Sequence, residues 1–272
     1  MLNKQDNTVK LIMLLAAIII IVTSLAACGG TRTGGDRFEF GEWRGKPIVW
    51  RVLDTEDNRT LLISEDILAV RQYHGFEEEY GERLSDIGIN RSDINEKITW
   101  ADSEIRAWLN DDFLNDAFSK YEQESILLSE IPNPDNEEYV VDGGRDTKDR
   151  IFLLSTDEAR RYFDNDRDRA AYIYLTEEDL ADIEKFYIED LDWDPENQPD
   201  LLESDKKKLN QKQEEAWWLR SPAGEPKSGR YNLEFGHVGG GSSDVGRIGG
   251  NLHAPCYLIF GVRPALWINL EP

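Results

Sequence analysis

The order of apolar and polar positions divides the chain into a few short elements. Phe38 and Phe40 alternate with charged neighbours, Gly41, Trp43, Gly45 and Pro47 follow, and Ile48-Val49-Trp50-Arg51-Val52-Leu53 resumes the apolar run. Alternation interrupted by turn residues predicts two strands about a turn. The polar stretch Asp54 to Arg59 separates the second strand from Leu61-Leu62-Ile63, which completes a three-stranded meander. From Arg71 to Lys97 the periodicity is lost, and this charged, glycine-punctuated segment reads as a surface loop.

Beyond it the period changes to that of a helix. Asp102 or Ser103 offers a cap, and Ile105, Trp108, Leu109, Phe113 and Ala117 fall on one helical face with Asn110, Asp111 and Asp112 opposite. A second helix is expected from Tyr121 to Leu128, ending before Pro132 and Pro134. After a turn at Asp142-Gly143-Gly144, Ile151 to Leu154 reads as a strand. Ser155 with Glu158 forms a capping box that opens a helix carrying Ala159, Tyr162 and Phe163. Residues 176–215 read as an acidic, helix-prone insertion, with a second box at Thr176 and Asp179 and a narrow apolar stripe of Leu180, Ile183 and Tyr187. From Trp217 onward the chain turns to aromatic strands and glycine-rich turns, closing with a strand from Val262 to Leu270. The sum is a single α+β domain over residues 38–270, a twisted antiparallel sheet with amphipathic helices packed on it.

Composition adds charge to this picture. Asp and Glu number 54 against 31 Lys and Arg, a formal net charge of −23, and the short Lys206–Lys208 run lies inside an acidic stretch. Nucleic-acid binding needs a basic face that displaces counterions, so that class is excluded. With 40% hydrophobic and 10% aromatic residues, the chain has enough apolar surface to bury a core.

The first residues carry an address. Lys4 and Lys10 precede an unbroken apolar run from Leu11 to Val22, which ends in Leu25-Ala26-Ala27-Cys28. This is the pattern of a signal peptide, residues 1–27, with a lipobox: small residues fit the peptidase, and the Cys28 thiol takes the diacylglyceryl group. The competing reading, a membrane-spanning helix, is disfavoured by Gly29, Gly30, Gly34 and Gly35 just beyond. Residues 28–37 then form a flexible tether. Removing a leader that holds Lys4 and Lys10 against Asp6 makes the rest more acidic, so acyl chains rather than lipid headgroups do the anchoring. The expected location is the extracytoplasmic face of a cell membrane. Cys256, set in Cys256-Tyr257-Leu258-Ile259-Phe260, reads as a buried, inert thiol.

Sites of familiar chemistry fail on detail. Asp164, Asp166 and Asp168 match the start of a calcium loop, but Arg169 stands where its glycine belongs and Leu175 where its bidentate glutamate belongs. A looser calcium site elsewhere on so acidic a surface is the only cofactor expectation. His74, His237 and His253 lack zinc-site spacing. The glycines from Gly236 to Gly250 suggest a phosphate loop, but Arg247 and Ile248 replace its Lys and Ser or Thr, so turns between strands are the better account.

The C-terminal block is more distinctive. Trp217-Trp218-Leu219-Arg220-Ser221-Pro222 is followed, about forty residues on, by Gly261-Val262-Arg263-Pro264-Ala265. With Phe40-Gly41-x-Trp43-x-Gly45, the Ser103-x-x-Arg106-x-Trp108-Leu109-Asn110 segment and Leu153-Leu154-Ser155-x-x-Glu158-Ala159, it resembles a bacterial domain family of unknown function found in surface and secreted proteins. More distantly, that family is similar to the formylglycine-generating enzymes and C-type lectin-like domains, which implies a core of that form. Formylglycine chemistry needs two reactive cysteines, and only Cys256 remains once Cys28 is lipidated.

If Trp217 and Trp218 lie on a strand they face opposite ways, one in the core and the other available to stack on a sugar or peptide. Arg220 and Arg263 either fasten the closing strand through ion pairs or present a fork to a carboxylate ligand. The expected function is a lipid-anchored, non-enzymatic module binding a glycan, cell-wall fragment or protein partner through Trp217, Trp218, Arg220 and Arg263. The alternatives are a cell-envelope hydrolase using carboxylates the sequence does not single out, or a structural subunit of an envelope complex.

Overall fold

The structure, a computed structural model, describes residues 35–75, 98–137, 140–189, 200–223, 234–240, 246–248, 253–256 and 258–269. The expected signal peptide, Cys28 and most of the expected tether lie outside these, as do residues 76–97 of the expected surface loop and part of the glycine-rich stretch. Among the described residues no helix is long and apolar enough to cross a membrane.

The strands in chain order are β1 (Arg37–Trp43), β2 (Lys46–Glu56), β3 (Arg59–Ser64), β4 (Ala69–Gln72), β5 (Ser129–Ile131), β6 (Thr147–Asp149) and β7 (Ile151–Phe152). The second half contributes β8 (Ala171–Tyr174), β9 (Lys212–Glu215), β10 (Trp217–Ala223), β11 (Glu234–Val238), β12 (His253–Pro255), β13 (Ile259–Val262) and β14 (Ala265–Asn269). They form two five-stranded sheets, β1-β2-β3-β14-β7 and β12-β11-β10-β13-β4, and two small ladders, β5-β6 and β8-β9. The expected meander is present as β1-β2-β3, antiparallel throughout. The expected single antiparallel sheet is two sheets, with one parallel contact between β10 and β13.

The expected closing strand from Val262 to Leu270 is also two strands. The chain leaves β13 in the second sheet at Val262 and enters β14 in the first at Ala265, because Pro264 has no amide hydrogen to continue a ladder. A second crossing runs beside it, from β3 to β4. The two are tied by hydrogen bonds from Ser64 N to Pro264 O (3.0 Å) and Leu68 N to Val262 O (3.0 Å).

Helices cover the sheets. Ser103 caps α1 (Glu104–Trp108) by accepting from Arg106 N, and a π-helical turn (Leu109–Phe113) leads into α2 (Leu114–Ala117). The predicted apolar face is buried, from Ile105 and Trp108 through Phe113 to Ala117. Leu109 and Phe113, at the two ends of the wider turn, are buried on that face. Then follow α3 (Lys120–Ser125), α4 (Thr156–Tyr162) and α5 (Asp166–Arg169). Both hydrogen bonds of the Ser155–Glu158 capping box are made. The acidic 176–215 segment supplies α6 (Glu177–Glu189), α7 (Asp200–Lys206) and β9. Its end is tied back where β9 pairs with β8, the strand that precedes the segment, and α6 buries Leu180, Ile183 and Phe186.

Candidate functional site

The residues of the W-W-L-R-S-P segment occupy the middle of the second sheet. β10 has β11 on one side and β13 on the other, and both faces of the strand are covered. Trp217 and Trp218 therefore both lie wholly inside, and the expectation that one of them meets solvent does not hold. Trp217 donates its indole N–H to Arg169 O (3.2 Å) and packs on Phe163. Trp218 donates to Arg71 O (2.9 Å) and lies edge-on to Tyr73 and Phe260.

The two arginines are equally enclosed. Arg220 grips Glu158 with both terminal nitrogens and also donates to Leu153 O (2.8 Å), Pro132 O (3.1 Å) and Asn133 Oδ1 (3.3 Å). Burial pushes the Glu158 carboxyl up, but the Arg220 guanidinium more than reverses this and holds it below the ordinary carboxylate range. Glu158 is thus both half of a capping box and the counter-ion of Arg220, which joins α4 to the sheet. Arg263 lies at the crossing between sheets. Its Nε donates to Ser64 O (2.8 Å) and its Nη1 to Arg169 O (3.3 Å), between the rings of Phe163 and Trp217, each 5.2 Å away. With no carboxylate bonded to it among the described residues, burial lowers its pKa to about 9, which still leaves it charged at neutral pH. None of these four residues presents a surface to a ligand. They are framework, and their aromatic and ionic character serves the core.

Other marked residues also have structural partners. Asp168 pairs with Arg51 (2.8 Å), and Asp166 pairs with Arg169 at the end of α5. Arg51 also holds Glu65 (2.8 Å), which Arg37 reaches from β1 (2.9 Å). Burial raises the Glu65 carboxyl, but hydrogen bonds from Arg51 and Arg37 outweigh it and bring its pKa to about 2. His237 is buried and stacks on Phe260, and Cys256 is buried as well. Gly246 N donates to Gly239 O (2.9 Å), and Gly246, at φ 66°, sits tight against Asp166 O. Among the described residues no three His, Cys, Asp or Glu side chains gather to hold a metal.

An open site lies elsewhere, at the β1–β2 hairpin. Arg44 and Gly45 both have positive φ, 50° and 73°, and Trp43 pairs directly with Lys46, so the loop is a two-residue type I′ turn. Asn or Asp usually takes the first central position. Arginine is held there by what its side chain reaches. Its Nη1 meets Asp179 Oδ1 (2.6 Å) and Thr176 Oγ1 (2.9 Å), and its Nε meets Glu178 (2.7 Å). Thr176 and Asp179 form the reciprocal contacts of the second predicted box, which caps α6. The hairpin is thereby fastened to the acidic segment.

Between hairpin and helix is a groove of about 140 Å³, bounded by Trp43 to Val49, by Asp66 to Leu68 on the β3–β4 crossing, and by Tyr174, Thr176 and Asp179. Its wall is more apolar than polar. Tyr172 and Tyr174, on one side of β8, are 37% and 44% exposed, and Val49 is 37% exposed. Lys212 sits 4.8 Å from the Tyr172 ring and 5.7 Å from that of Tyr174, and Lys46 lies 5.9 Å from Tyr174. The sequence reading missed this site because three distant segments build it. The available signal was the Tyr172-x-Tyr174 alternation at the edge of the acidic stretch and an arginine in a tight-turn position.

A densely packed aromatic core under two mixed layers of strands and helices, with an open groove at the first hairpin, defines the class: a single mixed α+β domain. The chain belongs to the family described as "Domain of unknown function (DUF6273)", which matches residues 57–270. The match begins after β2, so the hairpin half of the groove lies before it and the Tyr174–Asp179 half within it. No curated protein and no solved structure matches the chain.

Proposed function

We propose that the protein is an exported lipoprotein, anchored by Cys28 to the extracytoplasmic face of a membrane, whose domain is a non-enzymatic module that binds a glycan or cell-wall fragment in the β1–β2 groove. The groove carries the reading: a concave, mostly apolar surface with exposed tyrosines at its edge and cations beside them. The Leu25-Ala26-Ala27-Cys28 pattern supports the anchor. The tether enters at Arg37, the start of the seven-residue β1, and the groove opens at the strand's other end, roughly 20 Å further along. A C-type lectin-like or formylglycine-enzyme-like form of the core belongs to the same proposal. It is supported by the first and last strands lying in one sheet and by the central place of β10 in the other.

The test is a thermal shift of the full-length lipidated protein in detergent, titrated with glycans and peptidoglycan fragments. Stabilisation that rises with ligand concentration and is lost in Tyr174→Ala is the expected result. No stabilisation by any of them, with a protein captured on the same face instead, would replace the glycan with a protein partner.

A further inference from the structure

The charges around the groove are paired, with one exception. Asp179 and Glu178 are occupied by Arg44, at 2.6 and 2.7 Å. Asp66 is faced by Lys212 at 3.4 Å. Lys46, exposed on the hairpin, has no carboxylate within 4.0 Å among the described residues. In a chain of net charge −23, an ammonium left over at the mouth of a groove runs against the general field. The Tyr174 ring lies 5.9 Å from its ammonium, near the outer limit of a cation–π contact. Such a contact gives way readily to a charged hydrogen bond.

Resting on the groove reading above, we infer that the ligand is an acidic saccharide, a sugar ring seated against Tyr174 with its carboxylate on Lys46. The volume of about 140 Å³ suits one ring rather than a folded partner or a helix. The apolar wall suits the C–H face of a pyranose, and the one ammonium at the groove without a carboxylate partner among the described residues, Lys46, suits a single carboxylate. Lys212, tied to Asp66 and lying over Tyr172, is the less available of the two cations.

The experiment is isothermal titration of the full-length protein in detergent with oligoglucuronate and oligogalacturonate and with their methyl esters, at low and at moderate salt. The acids are expected to bind about tenfold or more tightly than the esters at low salt, with the gap narrowing as salt rises. In Lys46→Gln the gap should close while the esters bind as before, and in Tyr174→Ala both should weaken together. Equal affinity of acid and ester for the unaltered protein overturns the anionic inference and leaves the groove reading intact. Loss of the gap in Tyr174→Ala but not in Lys46→Gln overturns the role of Lys46. Binding by neither acid nor ester, in a protein whose unfolding is unperturbed, overturns both.

Discussion

The C-terminal block and the β1–β2 hairpin both combine aromatic rings with arginine, and they use them in opposite ways. Around Arg220 every donor direction ends on a fixed acceptor: a carboxylate, two backbone carbonyls and an amide oxygen. Around the hairpin the arginine is tied down, but two tyrosines and Lys46 keep open surface beside a cavity. The contrast is one of saturation. A site that has spent all its hydrogen bonds internally has none to offer a ligand, however distinctive its residues.

Replacing Arg220 with Ala should break the saturated region hardest, since it leaves the buried end of Glu158 and two carbonyls unpaired. A loss of about 3–5 kcal/mol is expected, read as a lower midpoint in urea unfolding. Arg220→Lys should recover only part of it, because an ammonium lacks the planar fork.

Acid should act next. The Glu65 carboxyl is depressed in the fold, so its stabilising effect is complete above the ordinary value of 4.5 and is lost as pH falls from there towards about 2. The loss should be on the order of 2–3 kcal/mol in unfolding measured across that window, and Arg51→Gln should flatten it.

At the hairpin, Arg44→Ala should cost about 1–2 kcal/mol from the lost pairing with buried Asp179, the strain at φ 50° being the same for both side chains. Arg44→Gly, free of the backbone strain, should be more stable than Arg44→Ala by about 1 kcal/mol. If the two unfold alike, the turn is not held against its preference. The smallest stability effect belongs to Tyr174→Ala, below about 1 kcal/mol for a half-exposed ring, together with a tenfold or greater loss of saccharide affinity. A large stability loss there would erase the distinction between framework and groove.

Local signals carried over well from sequence to structure. Ser155 with Glu158, Thr176 with Asp179 and the face from Ile105 to Ala117 depend on neighbours a few residues apart, and each appears as read. What failed depended on the whole topology. Trp217 and Trp218 alternate as strand residues should, yet both are buried because β10 is central and covered on both faces. Val262 to Leu270 reads as one strand because apolar residues flank Pro264, but only the fold shows that the chain changes sheets there. The groove is invisible locally, since Trp43, Asp66 and Tyr174 are brought together by pairings that no short window contains.

The position of β14 bears on how the domain is made. It pairs with β3 through five residues and with β7 on its other side, contacts that span some two hundred and more than one hundred positions of sequence. Until the ribosome has produced the chain through Asn269, the first sheet has a vacant central lane, and β3 and β7 are bare edges. The hairpin strands are ready early but must wait for the last strand. Folding should therefore be slow and late, with no stable half-domain formed before the last strand arrives.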